Sequence, residues 1–329
     1  MLKVAMLSYW HVHAWDYTRQ LMARDDVKIT AVWDENPERG EKAAKEIGAE
    51  FEADLNTLLK RDDVDAVVVD TPTNLHKEVM VAAAQTGKHI FTEKVMAITL
   101  KECQEIAEAV RKAGVKFCIS FPHRTMPHNL FAKKVVDEKL IGDITLLRVR
   151  NAHNGAIAGW LPDHFYDSEE CGGGAMIDLG AHGMYLSRWL LGEPARITSM
   201  FNDFTDKPVE DNAVSVIEFK NKAIAINETG FVTSHSPFTL ELHGTHGSLF
   251  IGGPDNKIRL ISDKIDSQVS GWITPTQLPN PLPSPIDQWV NGILKGEEIV
   301  FGLEDGIQLT ELMEGAYISH REKRTVDLS

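Results

Sequence analysis

The sequence predicts an α/β protein. An N-terminal Rossmann domain with a doubly wound parallel sheet is followed by a C-terminal α+β domain with a large open, mostly antiparallel sheet. Three observations carry this. Up to about Phe121, short β-rich runs alternate with helical stretches, the rhythm of repeated β-α-β units. One of those runs, Val67-Val68-Val69, is apolar without interruption, as a parallel strand covered on both faces requires. After residue 190, strand patterns follow one another across turn residues, which most simply makes an antiparallel sheet.

In order along the chain, the first domain's strands are expected at 3–7, 29–33, 66–69, 89–92 and 116–120. Helices fit the intervals 37–47, 74–86 and 99–113. Pro37 lies at a helix start, where a missing N–H costs nothing, and Gly48, Gly87 and Gly114 lie just past helix ends. Beyond Pro122 come a helix at 127–138, a strand at 143–151, a loop rich in His, Trp and Gly, and a helix from about Gly174 to Leu191. Strands follow at 197–204, 212–219, 223–229, 238–243, 248–251 and 257–261. Five prolines between Pro275 and Pro285 enforce a loop, and helices over 286–295 and 303–320 close the chain. The domains are therefore drawn as 1–122 and 123–329, with the helix over 303–320 able to pack back on the first.

At 329 residues the chain is long enough for two domains with real cores. Its 34 Lys and Arg against 48 Asp and Glu give a formal charge of −14, which repels nucleic acid and anionic membrane and points to a small-molecule partner. Three cysteines, Cys103, Cys118 and Cys171, form no CxxC pair and suit a reducing compartment, so a cytoplasmic location is expected. No stretch is apolar for long enough to span a membrane.

A dinucleotide-binding domain normally runs from its first strand into GxGxxG, because glycine lets the backbone approach a diphosphate at a helix N-terminus. Here the strand is followed by Ser8-Tyr9-Trp10-His11-Val12-His13-Ala14, with no glycine. Ser8 can make the turn and donate its hydroxyl, whereas Trp10 adds bulk where the diphosphate comes closest. Asp34 ends the second strand, where a carboxylate accepts from an adenosine ribose; helix capping is the competing role.

Three further segments carry a resemblance. Thr71-Pro72-Thr73-Asn74-Leu75-His76, Thr92-Glu93-Lys94-Val95 and Gly172-Gly173-Gly174-Ala175-Met176-Ile177-Asp178-Leu179-Gly180-Ala181-His182 together resemble the Gfo/Idh/MocA family, the glucose-fructose oxidoreductase and inositol dehydrogenase group. The resemblance implies that 1–122 binds NAD(P) and that 123–329 binds substrate and mediates assembly, as a homodimer or homotetramer formed through the C-terminal sheet; Asp34 followed by Glu35 puts two carboxylates where a ribose 2′-phosphate would go, so NAD is expected over NADP. It places the family's lysine on Lys94, its helical aspartate on Asp178 and its histidine on His182. His182 is then the general base toward a substrate hydroxyl, Asp178, four residues earlier on a helix, orients it, and Lys94 supplies positive charge beside the nicotinamide. The cofactor contacts implied are Ser8, Trp10, His11, His13 and Asp34, then Thr71, Pro72, Asn74 and His76, then Glu93 and Lys94. This chain departs from the pattern in two places: glycines are missing at Ser8 and Trp10, and Val95 stands where the family has a proline whose peptide is commonly cis.

The loop before the glycine triad lies over the nicotinamide in the family. Its His153, Asn154, Trp160, His164 and Tyr166 offer aromatic faces and polar donors suited to sugar or cyclitol hydroxyls. Arg124 can reach an acidic substrate group or serve an ordinary ion pair. The histidines lack the spacing of a zinc site, so no metal is expected. The resulting expectation is an NAD-dependent dehydrogenase of a sugar, sugar derivative or cyclitol. The alternatives are a glycosidase that oxidises its substrate transiently and a non-catalytic sugar-binding regulator with the same fold.

Overall fold

In the computed structural model, which describes residues 1–265 and 271–328, the valine run is a fully buried strand at the centre of a six-stranded sheet. The first unit comprises Met1–Ser120 and Pro283–Thr310. Its strands are β1 (Leu2–Leu7), β2 (Val27–Trp33), β3 (Glu50–Phe51), β4 (Ala66–Val69), β5 (His89–Thr92) and β6 (Phe117–Ile119). They are all parallel, in the order β3-β2-β1-β4-β5-β6. The direction of winding reverses between β1 and β4, so the carboxyl ends of β1, β2 and β4 border the crevice where such sheets take their ligands.

The helices between them are α1 (Ala14–Met22), α2 (Pro37–Ile47), α3 (Leu55–Leu59), α4 (His76–Gln85) and α5 (Leu100–Ala113). Local chemistry explains their limits. The Asn36 side chain accepts from Arg39 N ahead of Pro37, and Gly48 closes α2 at φ 72°. Thr99 and Glu102 form a reciprocal capping box on α5. β3 and α3, at two and five residues, are too short to leave a periodic signal, and the sequence reading missed both.

A boundary at 122 assigns 283–310 to the second domain, whereas the structure counts this segment with the first unit. Packing is the cause. Trp289, on α10 (Pro285–Leu294, numbered after the second unit's helices below), is fully buried against Phe91, with ring centroids 5.7 Å apart, and Ile119 N donates to Phe301 O at 3.0 Å.

The second unit, Phe121–Leu282 with Glu311–Ser329, opens with α6 (Pro127–Asp137) and β7 (Ile144–Ala152). Short helices α7 (Gly155–Ala158) and α8 (Ser168–Cys171), a π-helical turn at Met176–Gly180 and α9 (Ala181–Leu191) follow. Next come β8 (Pro194–Asn202), β9 (Asn212–Phe219), β10 (Ile224–Gly230), β11 (Thr239–Gly244), β12 (Gly247–Gly252) and β13 (Lys257–Ser262). The final helix α11 (Leu303–Glu322) is counted partly with each unit, and β14 (Val326–Asp327) ends the chain's described structure.

The sheet order is β13-β12-β11-β7-β10-β9-β8-β14. Every pair is antiparallel except β7 with β10, whose side-by-side direction follows from a long connection through helices rather than a hairpin. The inner face buries Leu147, Val149, Ala213, Ile217, Ala225, Leu240 and Leu242, while Met200, Val214, Val216 and Ile224 stand exposed. No helix among the described residues is long and apolar enough to cross a membrane.

α9 lies so close to β10 that a Cβ on Gly183 would sit 2.1 Å from Asn227 Oδ1. Asn227 is fully buried and cannot swing aside without losing its 2.8 Å bond to Gly180 O. Gly183→Ala should therefore cost about 1–3 kcal/mol through overpacking. Urea unfolding of variant and parent checks this, and an unchanged midpoint would show that the helix has room.

Candidate active site

Ser8 takes the left-handed conformation that a glycine would adopt, at φ 77°. Its N–H donates to Trp33 O, its hydroxyl donates to Glu35 Oε1 (3.1 Å) and accepts from Trp10 N (3.0 Å). Asp34 secures the next residue. Its fully buried carboxylate accepts from Tyr9 N (2.9 Å), Asn36 N (2.8 Å), Arg39 Nε (3.0 Å) and Arg39 Nη2 (2.7 Å). Arg39 also pairs with Glu35. Asp34, expected to meet a ribose, thus anchors the turn with four accepted bonds. Burial and the adjacent Asp34 charge push the Glu35 carboxyl up, and its Oε2 is buried without a hydrogen-bond partner.

The turn continues into a buried polar cluster. The His11 backbone N donates to Asp70 O (3.1 Å) and its ring Nδ1 accepts from His13 N (3.3 Å), so backbone and ring are each tied down once. Burial lowers His11 to about 3. His13 itself is half-exposed and pairs with Asp16. The Tyr17 hydroxyl donates to Glu93 and lies 2.7 Å from Ser120 Oγ, while Glu93 Oε2 accepts from Lys94 N at 2.9 Å. Burial pushes Glu93 up, but His11, His13 and Lys94 with the Tyr17 donor outweigh it and hold the carboxyl below its ordinary range. Asp70, with both side-chain oxygens unpartnered, is pushed far up by burial and by the neighbouring Glu93 charge. The Lys94–Val95 peptide is cis. His76 spans two backbone carbonyls, Val95 O (2.9 Å) and Thr71 O (3.2 Å), which makes it a strut between two loops. Thr71 and Pro72 are buried and Asn74 is exposed.

In the second unit, His182 Nδ1 is 2.9 Å from Tyr185 Oη, and the His123 ring stacks on His182 at 4.5 Å. The Tyr185 hydroxyl also accepts from His123 N (3.2 Å), and its ring stacks on Phe121. Asp178 is the orienting group expected for His182, and the Tyr185 hydroxyl also lies at its Nδ1. Asp178 starts from the π-helical turn, a wide turn common at functional sites, and its charge is felt at His153. Burial lowers His153 more than Asp178 raises it.

The His153 ring stacks on Phe231 and touches exposed Trp160, with centroids at 5.1 and 4.5 Å. Asn154 donates to Ser234 Oγ. Tyr166 belongs to a core cluster with Phe165, Val209 and Phe231, beneath Lys207. His164 lies beside Phe165, and its carbonyl accepts from Cys171 Sγ. Arg124 is buried over the Trp189 ring, 5.2 Å from its centroid. Among the described residues, no group of three or more His, Cys, Asp or Glu is placed to hold a metal ion. Sequence reading did not single out Tyr17, Tyr185 or Arg39 as anchors. Tyr185 had a signal in its spacing of three from His182 on a helix.

These residues fit a dinucleotide. Ser8 supplies the conformation of the missing glycine, and buried acceptors without partners, Glu35 Oε2 after β2 and Thr71 Oγ1 after β4, flank the switch point. Residues 8–121 match the oxidoreductase family with an NAD-binding Rossmann fold, and 130–250 match the GFO/IDH/MocA C-terminal domain. The chain belongs to the Gfo/Idh/MocA family. Its first domain is therefore an NAD-binding domain.

Inositol 2-dehydrogenase of Rhizobium meliloti is 26% identical over 95% of each chain. The matched segment spans 65% of this chain and 62% of levoglucosan dehydrogenase from Pseudarthrobacter phenanthrenivorans (27% identity), so it covers less than two thirds of that relative. It spans 72% of this chain and 64% of the Escherichia coli 2,7-anhydro-N-acetylneuraminate hydratase (28% identity). A solved levoglucosan dehydrogenase, in complex with NADH and L-sorbose, superposes with a TM-score of 0.85 at 22% identity, covering 100% of this chain and 99% of that one.

His11 gives the site a pH signature. Its folded value of about 3 lies below the ordinary histidine value, so the unfolded chain binds more protons between the two. This contribution to stability is complete above about pH 6.5 and is lost as pH falls toward 3. His11→Gln, which keeps an acceptor for His13 N, should flatten the pH dependence of the urea midpoint between pH 4 and 6.5 by about one proton. Parallel curves for variant and parent would contradict the buried neutral ring.

Proposed function

We propose that the protein is an NAD-dependent dehydrogenase acting on a secondary hydroxyl of a sugar, sugar derivative or cyclitol. The observation that carries this reading is the arrangement around His182. Tyr185 holds Nδ1 and His123 stacks on the ring face, leaving the imidazole fixed in orientation as a general base must be. In this reading His182 takes the hydroxyl proton at Nε2. The bound nicotinamide supplies the hydride acceptor. Lys94, fixed through its own N–H to Glu93, offers positive charge to the developing alkoxide. Asp178 lies on the His153 side, where a carboxylate accepts from substrate hydroxyls, and the exposed face of Trp160 suits a sugar ring. Tyr166 and Arg124 serve packing rather than substrate.

The similarity to an anhydrosugar hydratase favours one second reading, a redox-neutral reaction in which a hydroxyl is oxidised, elimination or addition follows and the hydroxyl is restored. A panel of polyols and anhydrosugars with NADH absorbance separates the two: net NADH supports the dehydrogenase, and product without net NADH supports the second. The regulator alternative predicts neither. The exposed Met200, Val214, Val216 and Ile224 on the outer sheet face support self-association through that sheet.

Two outcomes are expected. His182→Ala should lower the chemical step by roughly 10²- to 10⁴-fold and leave NAD binding intact; turnover retained at saturating substrate between pH 6 and 9 would defeat the assignment. NAD should bind at least about tenfold more tightly than NADP, because Glu35 and Asp34 repel a 2′-phosphate and already engage Arg39. Fluorescence titration reads this, and equal affinities would contradict it.

A further inference from the structure

The helical run that carries Asp178 and His182 begins without a cap of its own. Residues 172–174 are glycines, and no side-chain cap bond is made at Ala175. A helix start leaves four amides without partners, and buried amides must find some. Here they are met from elsewhere in the fold. Glu210, in the β8–β9 loop, accepts from Gly174 N with both carboxylate oxygens (3.0 Å each) and from Met176 N (2.9 Å). Its backbone carbonyl accepts from Ala175 N at 2.8 Å. Tyr317, on α11, accepts from Ile177 N (3.2 Å) and donates to Glu210 Oε1 (2.6 Å).

This clamp also accounts for two of the three glycines. A Cβ on Gly173 would lie 1.9 Å from Tyr317 Oη, and one on Gly174 2.1 Å from Glu210 O. The triad is small here because the Glu210 backbone carbonyl and the Tyr317 phenol close on it. Behind them lies a cavity of about 450 Å³, lined among others by Gly173, Lys207, Glu210, Tyr317 and His320.

We propose that Glu210 and Tyr317 are positioning residues for the reaction: by capping the amides of 174–177 they fix the placement of the helical run from which Asp178 and His182 project. A carboxylate at this end also favours the helix dipole. The inference rests on the reading of His182 as base. It assigns neither residue any contact with substrate.

Hydrogen exchange of the NAD-loaded full chain, together with kcat and KM on the substrate found by the polyol panel, tests it. Glu210→Ala should speed exchange at 174–177 by at least tenfold and lower kcat by roughly 10- to 100-fold, with the Kd for NAD unchanged. Glu210→Gln keeps one acceptor oxygen and should restore kcat to within a few-fold. Tyr317→Phe should speed exchange chiefly at Ile177 and lower kcat more mildly, and it guards the test should Glu210→Ala fail to fold. Unchanged protection at 174–177, or lost protection with unchanged kcat, overturns the proposal. If Gln restores protection but not kcat, Glu210 acts otherwise than by positioning, which also overturns it. If His182→Ala keeps its turnover, the base assignment fails, while exchange and kcat in the Glu210 variants still decide the clamp.

Discussion

The first unit depends on how one carboxylate is shared. A strand that turns sharply into a helix needs a residue with positive φ and partners for the amides that the turn exposes. With glycines, those amides can be kept for a ligand. Without them, Asp34 takes over the support: it receives the amide of Tyr9 on one side and the Arg39 guanidinium on the other, so the end of β2 holds the turn after β1 in place. Ser8 can then remain left-handed at a cost of order 1–3 kcal/mol, because the surrounding bonds over-determine it. Two groups that remain unmet, Glu35 Oε2 and Thr71 Oγ1, belong to residues that follow β2 and β4.

Both units solve a helix-start problem with side chains remote in sequence, and this explains what the sequence could and could not disclose. The alternation of strands and helices was legible because burial imposes it at every turn of the chain: α2 runs over 37–47 and β9 over 212–219, as their patterns predict. The family motifs located Lys94, Asp178 and His182. What stayed hidden depends on long-range pairing. Glu210 lies 36 residues from Gly174, and Tyr17 lies 76 from Glu93, separations at which no local pattern carries information. The parallel pairing of β7 with β10 was invisible for the same reason. Asp34 was read either toward a ribose or as a cap; its bonds from Tyr9 N and Arg39 join segments that no local pattern connects.

Charge in the buried cluster is similarly rationed. Burial pushes both acids up: around Glu93 the imidazoles, an ammonium and a phenol outweigh it and hold the carboxyl down, whereas beside Asp70 the Glu93 charge adds to it. Two acids within one buried field are thus shifted in opposite directions, a division that often marks sites built for chemistry. Tyr17 makes the separation durable by committing its single proton to Glu93.

The inclusion of 283–310 in the first unit makes that unit discontinuous in the chain. On a ribosome, Met1–Ser120 is made before Phe121–Leu282 and yet lacks Trp289 against Phe91 and the Phe301 carbonyl beside β6 until 283–310 has followed. The second unit has by then been made through Leu282 and still lacks Glu311–Ser329. Maturation of the cofactor domain is thereby tied to synthesis of the other, and a chain stopped short of residue 283 would expose the aromatic surface that α10 covers.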